Sequence, residues 1–211
     1  LGKTQTLVKM AFLVLDLELS GSEPGWHEIV QIGAVLCDNQ WGERSTFLSN
    51  VYPENEESFS ESSRKVHGLS LDDLDDAPML HELLPEFEEW IIENLPIRPP
   101  KHVSGSREHA LREVIICGQS VIYDINFLRY AYRQEKKNWP FSHQMLDLHT
   151  LSYLYFDVMG GTKNDTPRSR SLESVAKWFG FGRADNTHNA LEDSLLTVKC
   201  FREINQRIKE R

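Results

Sequence analysis

Cysteine is scarce: Cys37, Cys117 and Cys200 are the only three in 211 residues, far apart and without a C-x-x-C pair. That excludes a disulfide framework and points to a reducing compartment, so a cytoplasmic location is expected. Long apolar runs are missing too. The run Met10–Leu15 is broken by Asp16, too short for a signal-peptide core or a membrane span, so no membrane is expected as a partner. Positive charge is in deficit, with 23 Lys and Arg against 32 Asp and Glu and a net charge of −9. Gripping long duplexes through their phosphates needs a basic face, and this composition argues against one. It leaves room for a protein that handles one strand end, because acids that hold cations add to the deficit while the cations reverse the local sign. Internal repeats and low-complexity tracts are also absent.

What remains, 40% hydrophobic and 26% charged residues, is the composition of one soluble globular domain with a sizeable core. Residues 1–10 read as a leader or a cloning remnant, with Met10 a candidate start, and 11–211 as a single domain.

The chain is organised around Ala11-Phe12-Leu13-Val14-Leu15-Asp16-Leu17-Glu18. Its apolar part predicts a strand buried on both faces. If the strand runs on, Asp16 and Glu18 leave one face together. Paired carboxylates beside a buried strand need protonation, hydrogen bonds or a cation, and hard oxygen donors suit magnesium or manganese. The plainer alternative is a strand end meeting water. Asp73-x-Asp75, Glu54-x-Glu56 and Glu86-x-Glu88 share the spacing, but none ends an apolar strand.

Strands are expected over 28–37 and 44–51, joined by the polar turn Asp38–Gly42 in an antiparallel meander. Residues 53–64 read as a polar loop. A helix is expected to start at Ser70–Asp73 and another to span 78–95, with Pro85 kinking or shortening it. The proline-rich 96–107 reads as an exposed loop that either is inert or carries substrate or partner contacts. Further on, the pattern predicts a strand over 114–121, a helix over 124–137, a short strand over 144–148 and a helix over 150–156. Residues 157–171 read as a mobile loop whose Lys163, Arg168 and Arg170 either guide strand phosphates or are solvated surface charges. Helices over 172–179 and 189–209 close the chain. Meandering strands followed by alternating strands and helices make an α/β domain with a mixed sheet, whose ligands gather at strand carboxyl ends.

Asp124 follows the strand ending at Val121, where it is either a further ligand or a helix N-cap. Asp193 shares a face of the last helix with Leu196, Thr197, Cys200 and Ile204; an ionised carboxylate buried there needs a partner, and a metal is one. His188, just before that helix, suits the rim of a site.

These residues resemble the motifs of the DEDDh, or DnaQ-like, 3′–5′ exonucleases, over roughly Phe12 to Ile204. The first motif stands as Asp16-Leu17-Glu18-Leu19-Ser20-Gly21, the second as Tyr123-Asp124, and the third, H-x-A-x-x-D, as His188-Asn189-Ala190-Leu191-Glu192-Asp193. Val66-His67-Gly68-Leu69 is similar to the family's H-G-I/L segment. One departure is Gln119-Ser120, where members commonly carry His-Asn.

The resemblance implies an RNase H-like fold, a five-stranded mixed sheet flanked by helices. It also implies two divalent cations, Mg²⁺ or Mn²⁺. Asp16 would bridge them, Glu18 and Asp193 would hold the one that binds the attacking water, and Asp124 would support the other. His188 would be the general base, while Leu19, Ser20, His67 and Tyr123 would meet the terminal nucleotide. The implied substrate is a single-stranded DNA or RNA 3′ end. Two alternatives stay open: a catalytically silent nucleic-acid-binding module on the same fold, and a structural metal site in an interaction protein.

Overall fold

The structure is a computed structural model that describes residues 10–160, 166–183 and 188–210. Residues 1–9 and Lys163 lie outside the described residues. In chain order the elements are β1 (Ala11–Leu19), β2 (Ile29–Cys37), β3 (Glu43–Asn50), α1 (Glu61–His67), α2 (Leu71–Leu74), α3 (Leu80–Asn94) and α4 (Ser106–Arg112). They continue with β4 (Val114–Gly118), α5 (Ile122–Gln134), β5 (Met145–Asp147), α6 (Leu148–Tyr153), α7 (Leu172–Trp178) and α8 (Ala190–Lys209).

The strands form a five-stranded mixed sheet in the order β3-β2-β1-β4-β5. The β1–β2 and β2–β3 pairs are antiparallel, and β1–β4 and β4–β5 are parallel. A central strand is covered on both faces, which is why β1 carries no apolar–polar alternation. Leu13, Leu15 and Leu17 pack with Leu84, Phe87 and Leu128 of α3 and α5, while Phe12 and Val14 pack with Val175, Val198 and Phe201 of α7 and α8. The alternation that sends Phe12 and Val14 toward α8 sends Asp16 and Glu18 the same way. All three cysteines are buried and free, and burial pushes the Cys37 and Cys200 thiols up to about 12, leaving them chemically quiet. Among the described residues, no helix is long and apolar enough to cross a membrane.

Local structure departs from the sequence expectation in several places, among them the helix α4 that begins inside the stretch read as the 96–107 loop. The polar stretch 53–64 contains α1, begun by the Ser60 hydroxyl accepting from the Ser63 amide and ended by Gly68 at φ +77°. Its charged surface hid a short helix that has too few residues to show a period. Pro85 sits inside an uninterrupted α3. The 150–156 helix begins two residues earlier and runs on through a π-helical turn, Leu154–Val158. The turn 38–42 buries Trp41 between Phe12 and Phe201, ring centroids 4.4 and 4.5 Å apart, with Trp41 at φ +62°. The Asp38 carboxylate holds that turn by accepting from the Gln40 and Gly42 amides.

Candidate active site

Strand β1 runs through to Leu19, so Asp16 and Glu18 do share a face. Asp124 is not an N-cap. Helix α5 starts two residues before it, and its Oδ1 accepts from the Leu17 amide at 3.0 Å, tying the helix to β1. Asp193 enters from the first turn of α8, which Asn189 caps through the Leu191 and Glu192 amides. Its helix face is buried as the spacing predicted, with Leu196, Thr197, Cys200 and Ile204 all inside.

Helix α8 is seated on β2 by close backbone contact. A Cβ on Gly33 would lie 2.1 Å from the Ala190 carbonyl carbon. The Ala190 amide donates to Gln31 Oε1 at 3.0 Å, and Ser194 Oγ donates to the Gly33 carbonyl at 3.0 Å. These contacts set the depth of Asp193 over the sheet.

The carboxylates are near enough to disturb one another. Burial, followed by the charges of Asp124, Glu18 and Asp193, holds the Asp16 carboxyl well above the usual range, with Arg183 opposing. Burial and Asp193 push Glu18 up to about 7, again against Arg183. Burial also raises Asp124 to about 7, although its own amide and that of Leu17 oppose the shift. Arg183 forks onto Asp193, Nε to Oδ1 at 2.5 Å and a terminal nitrogen to Oδ2 at 2.8 Å. His188 Nδ1 lies 3.2 Å from the same Oδ2, with the imidazole partly exposed.

Hard divalent cations match this donor set in kind. The donors are oxygens, Glu18 Oε1 is buried without a hydrogen-bond partner among the described residues, and a cation would relieve the repulsion that helps raise these pKa values. Among the described residues no three His, Cys, Asp or Glu side chains form a ready-made ligand cluster. Arg183 accounts for part of that by engaging both oxygens of Asp193.

The raised carboxyls set the sign of a pH dependence. Folded Glu18 and Asp124 keep their protons up to about pH 7, whereas the unfolded groups ionise near ~4. The folded state therefore binds more protons in that window. With divalent cations chelated, stability should fall as pH rises from about 4 to 7, by at most ~1.4 kcal/mol per pH unit for each group. Carboxyls held low, such as Asp73 and Asp157, act below that window. Urea unfolding in EDTA at pH 5 and 7.5 checks this; a flat or rising profile contradicts it.

Leu19, His67 and Tyr123 line one cavity of about 390 Å³ with Glu18 and Phe127. Ser20 does not line it. It is fully buried, its hydroxyl accepting from the Glu28 amide and its backbone paired with Glu28 and Ser60, so it braces the floor from beneath. Burial lowers the His67 imidazole, the Leu19 backbone opposing, and its Nδ1 accepts from the Leu69 amide. Arg170 is paired with Asp157 and lies over the Phe156 ring, which removes it as a free phosphate guide.

Two contributors were not legible in the sequence. Arg183 is one of 23 basic residues, with no pattern to mark it. Gln31 sits in a strand chosen for its apolar neighbours. The departure at Gln119-Ser120 does have a structural role: Gln119 Nε2 donates to the Arg170 carbonyl at 2.9 Å, and Ser120 takes the left-handed conformation at φ +53°.

A family model described as Exonuclease (RNase_T) matches residues 13–98. The chain is 26% identical to the 3′-5′ DNA exonuclease Cap18 of Escherichia coli, covering 94% of this chain and 93% of that one. It is also 26% identical to the DNA polymerase III subunit epsilon of Aquifex aeolicus, covering 94% and 82%. Among solved structures, the nuclease domain of 3′hExo, a DEDDh family member bound to rAMP, matches with TM-score 0.70 and 18% identity over 94% of this chain and 93% of its own. E. coli Exonuclease I with a dT13 oligonucleotide matches with TM-score 0.74 and 14% identity, over 95% and 42%. The fold is thus the RNase H-like one of these nucleases. Its sheet order, its motif residues and these relatives agree in making the chain similar to the DEDDh, or DnaQ-like, 3′–5′ exonucleases.

Proposed function

We propose that the protein is a 3′–5′ exonuclease that removes nucleoside 5′-monophosphates from single-stranded DNA or RNA ends. One observation carries this reading: Asp16, Glu18, Asp124 and Asp193, from β1, α5 and α8, gather at one end of the sheet, where burial and neighbouring charges raise the pKa values of Asp16, Glu18 and Asp124, with His188 beside them. Those four carboxylates would hold two divalent cations, Mg²⁺ or Mn²⁺, which neutralise charge on the attacked phosphate and the departing 3′ oxygen.

The side chains divide the remaining work. Asp193 orients the His188 imidazole through Nδ1, leaving Nε2 to take the proton of the attacking water. The cavity lined by Leu19, His67 and Tyr123 receives the terminal nucleotide. The Tyr123 ring, 67% exposed, offers a face for the base, and the neutral His67 can accept or donate a hydrogen bond without adding charge. His188→Ala should retain cation binding by calorimetry and slow turnover by roughly 10²–10⁴-fold. Full rate in that variant would remove its assignment as base.

The fork of Arg183 onto Asp193 favours a second reading, a catalytically silent strand-binding module in which a guanidinium replaces the cation. Degradation of matched 5′-labelled DNA and RNA single strands with Mg²⁺, Mn²⁺ or chelator separates the two. A cation-dependent ladder shortening from the 3′ end supports the exonuclease, and the faster strand names its substrate. Strand binding without cleavage supports the silent module.

A further inference from the structure

Despite the acidic composition, the described residues lining one cleft of about 540 Å³ are mostly cations and rings and include no carboxylate: Arg129, Arg133, Lys137 and His143 with Tyr130 and Trp139, beside Asn126. Among the described residues, none of these cations forms an ion pair. Arg129 Nε is buried without a hydrogen-bond partner, a group costly to leave unmade unless a ligand supplies the acceptor. Its guanidinium lies 5.0 Å over the Trp139 ring, and that of Arg133 lies 5.8 Å over Tyr130. Trp139 is itself fixed, donating from Nε1 to the Ser142 carbonyl and packing edge-on against Tyr132 and Phe141 of the core. Forked guanidinium donors backed by rigid rings are suited to phosphate beside a stacked base.

The cleft lies further along the helix that begins at the candidate active site. Tyr123, in the nucleotide cavity, opens the helix that carries Arg129 and Arg133, about 9 and 15 Å further along its axis at 1.5 Å per residue. The intervening turn has Ser22 on the nucleotide cavity and Pro24 on the cleft. We propose that this cleft is a subsite for the phosphodiester backbone of the strand upstream of the terminal nucleotide. The proposal rests on the exonuclease reading for its polarity, not for the binding itself.

The test is fluorescence anisotropy of a 5′-labelled single-stranded 12-mer in EDTA, which needs no cleavage. The double variant Arg133→Gln/Lys137→Gln should bind ~10-fold or more weakly, with a log Kd against log salt slope shallower by about 1.4 for two lost phosphate contacts. Its melting temperature should be unchanged, since both side chains reach solvent at the cleft. Lys136→Gln, an exposed neighbour outside the cleft, should move affinity by less than ~2-fold. Equal weakening by Lys136→Gln and the double variant would reduce the effect to net charge and overturn the proposal, as would unchanged affinity or a wild type that does not bind. Weakened binding in a protein that never cleaves would keep the cleft and retire the exonuclease reading. Cleavage with unaltered binding would do the reverse.

Discussion

Asp16→Asn should abolish strand cleavage and at the same time raise the melting temperature of the cation-free protein. The asparagine is nearly isosteric and folds into the same space, but it cannot supply the anionic oxygen on which the proposed cation binding depends. The loss should be several kcal/mol of transition-state stabilisation, or ~10³-fold or more in rate. The stability gain has a separate cause. In the native protein Asp16 is desolvated and faces Asp124, Glu18 and Asp193, so its ionised form is disfavoured in the fold relative to the unfolded chain. Removing that repulsion should return ~1 kcal/mol or more near neutral pH, about 2–4 °C for a domain of this size. Scanning fluorimetry in EDTA reads the gain. With Mg²⁺ added, the order should narrow or invert, because only the wild type has the full set of anionic donors. A variant that still cleaves, or one that melts lower in EDTA, would contradict the account of Asp16 as the most repelled of clustered acids.

The second large effect belongs to a residue with no chemistry of its own. Gly33→Ala should destabilise the fold by about 3 kcal/mol or more and remove whatever activity survives. The new methyl would sit 2.1 Å from the Ala190 carbonyl carbon and 2.2 Å from the Leu191 nitrogen. Both are helix backbone, so relief requires lifting the first turn of α8. Overpacking of this kind costs ~1–3 kcal/mol or more, and the Ala190–Gln31 hydrogen bond, worth ~1 kcal/mol, would be strained with it. Asp193 and His188 ride on or beside that turn, and a misplacement of about 1 Å can cost ~10²-fold in rate. Gly182→Ala is the matched control, because none of the described residues lies within 4 Å of its Cβ position. Equal melting temperatures for the two variants would show that α8 does not depend on the close approach at Gly33.

Why some of this was legible in the sequence and some was not follows from the range of the interactions. The β1 strand announces itself as an unbroken apolar run, and the buried stripe of α8 through Asp193 follows from helical spacing. The order of the DEDDh motifs adds the identity of the acids and of His188. A helix as short as α1 carries no usable period, and the polar stretch that holds it reads as loop. Trp41 looked like part of a polar turn, because only the rings of Phe12 and Phe201, one near each end of the chain, make it core. Asp124 by itself read more readily as a cap than as a ligand until the start of α5 moved the cap to Val121 and the Leu17 amide came to its carboxylate.

The sequence by itself determined the mixed α/β architecture and singled out the acids and the histidine as candidates, because local periodicity and motif spacing are written residue by residue. Only the tertiary structure decided which cation meets which acid. It put Arg183 on Asp193 and Arg170 on Asp157, and left Arg129, Arg133 and Lys137 without an ion pair among the described residues around one cleft. Pairings of that kind depend on distances between segments far apart in the chain, and neither composition nor spacing encodes those distances.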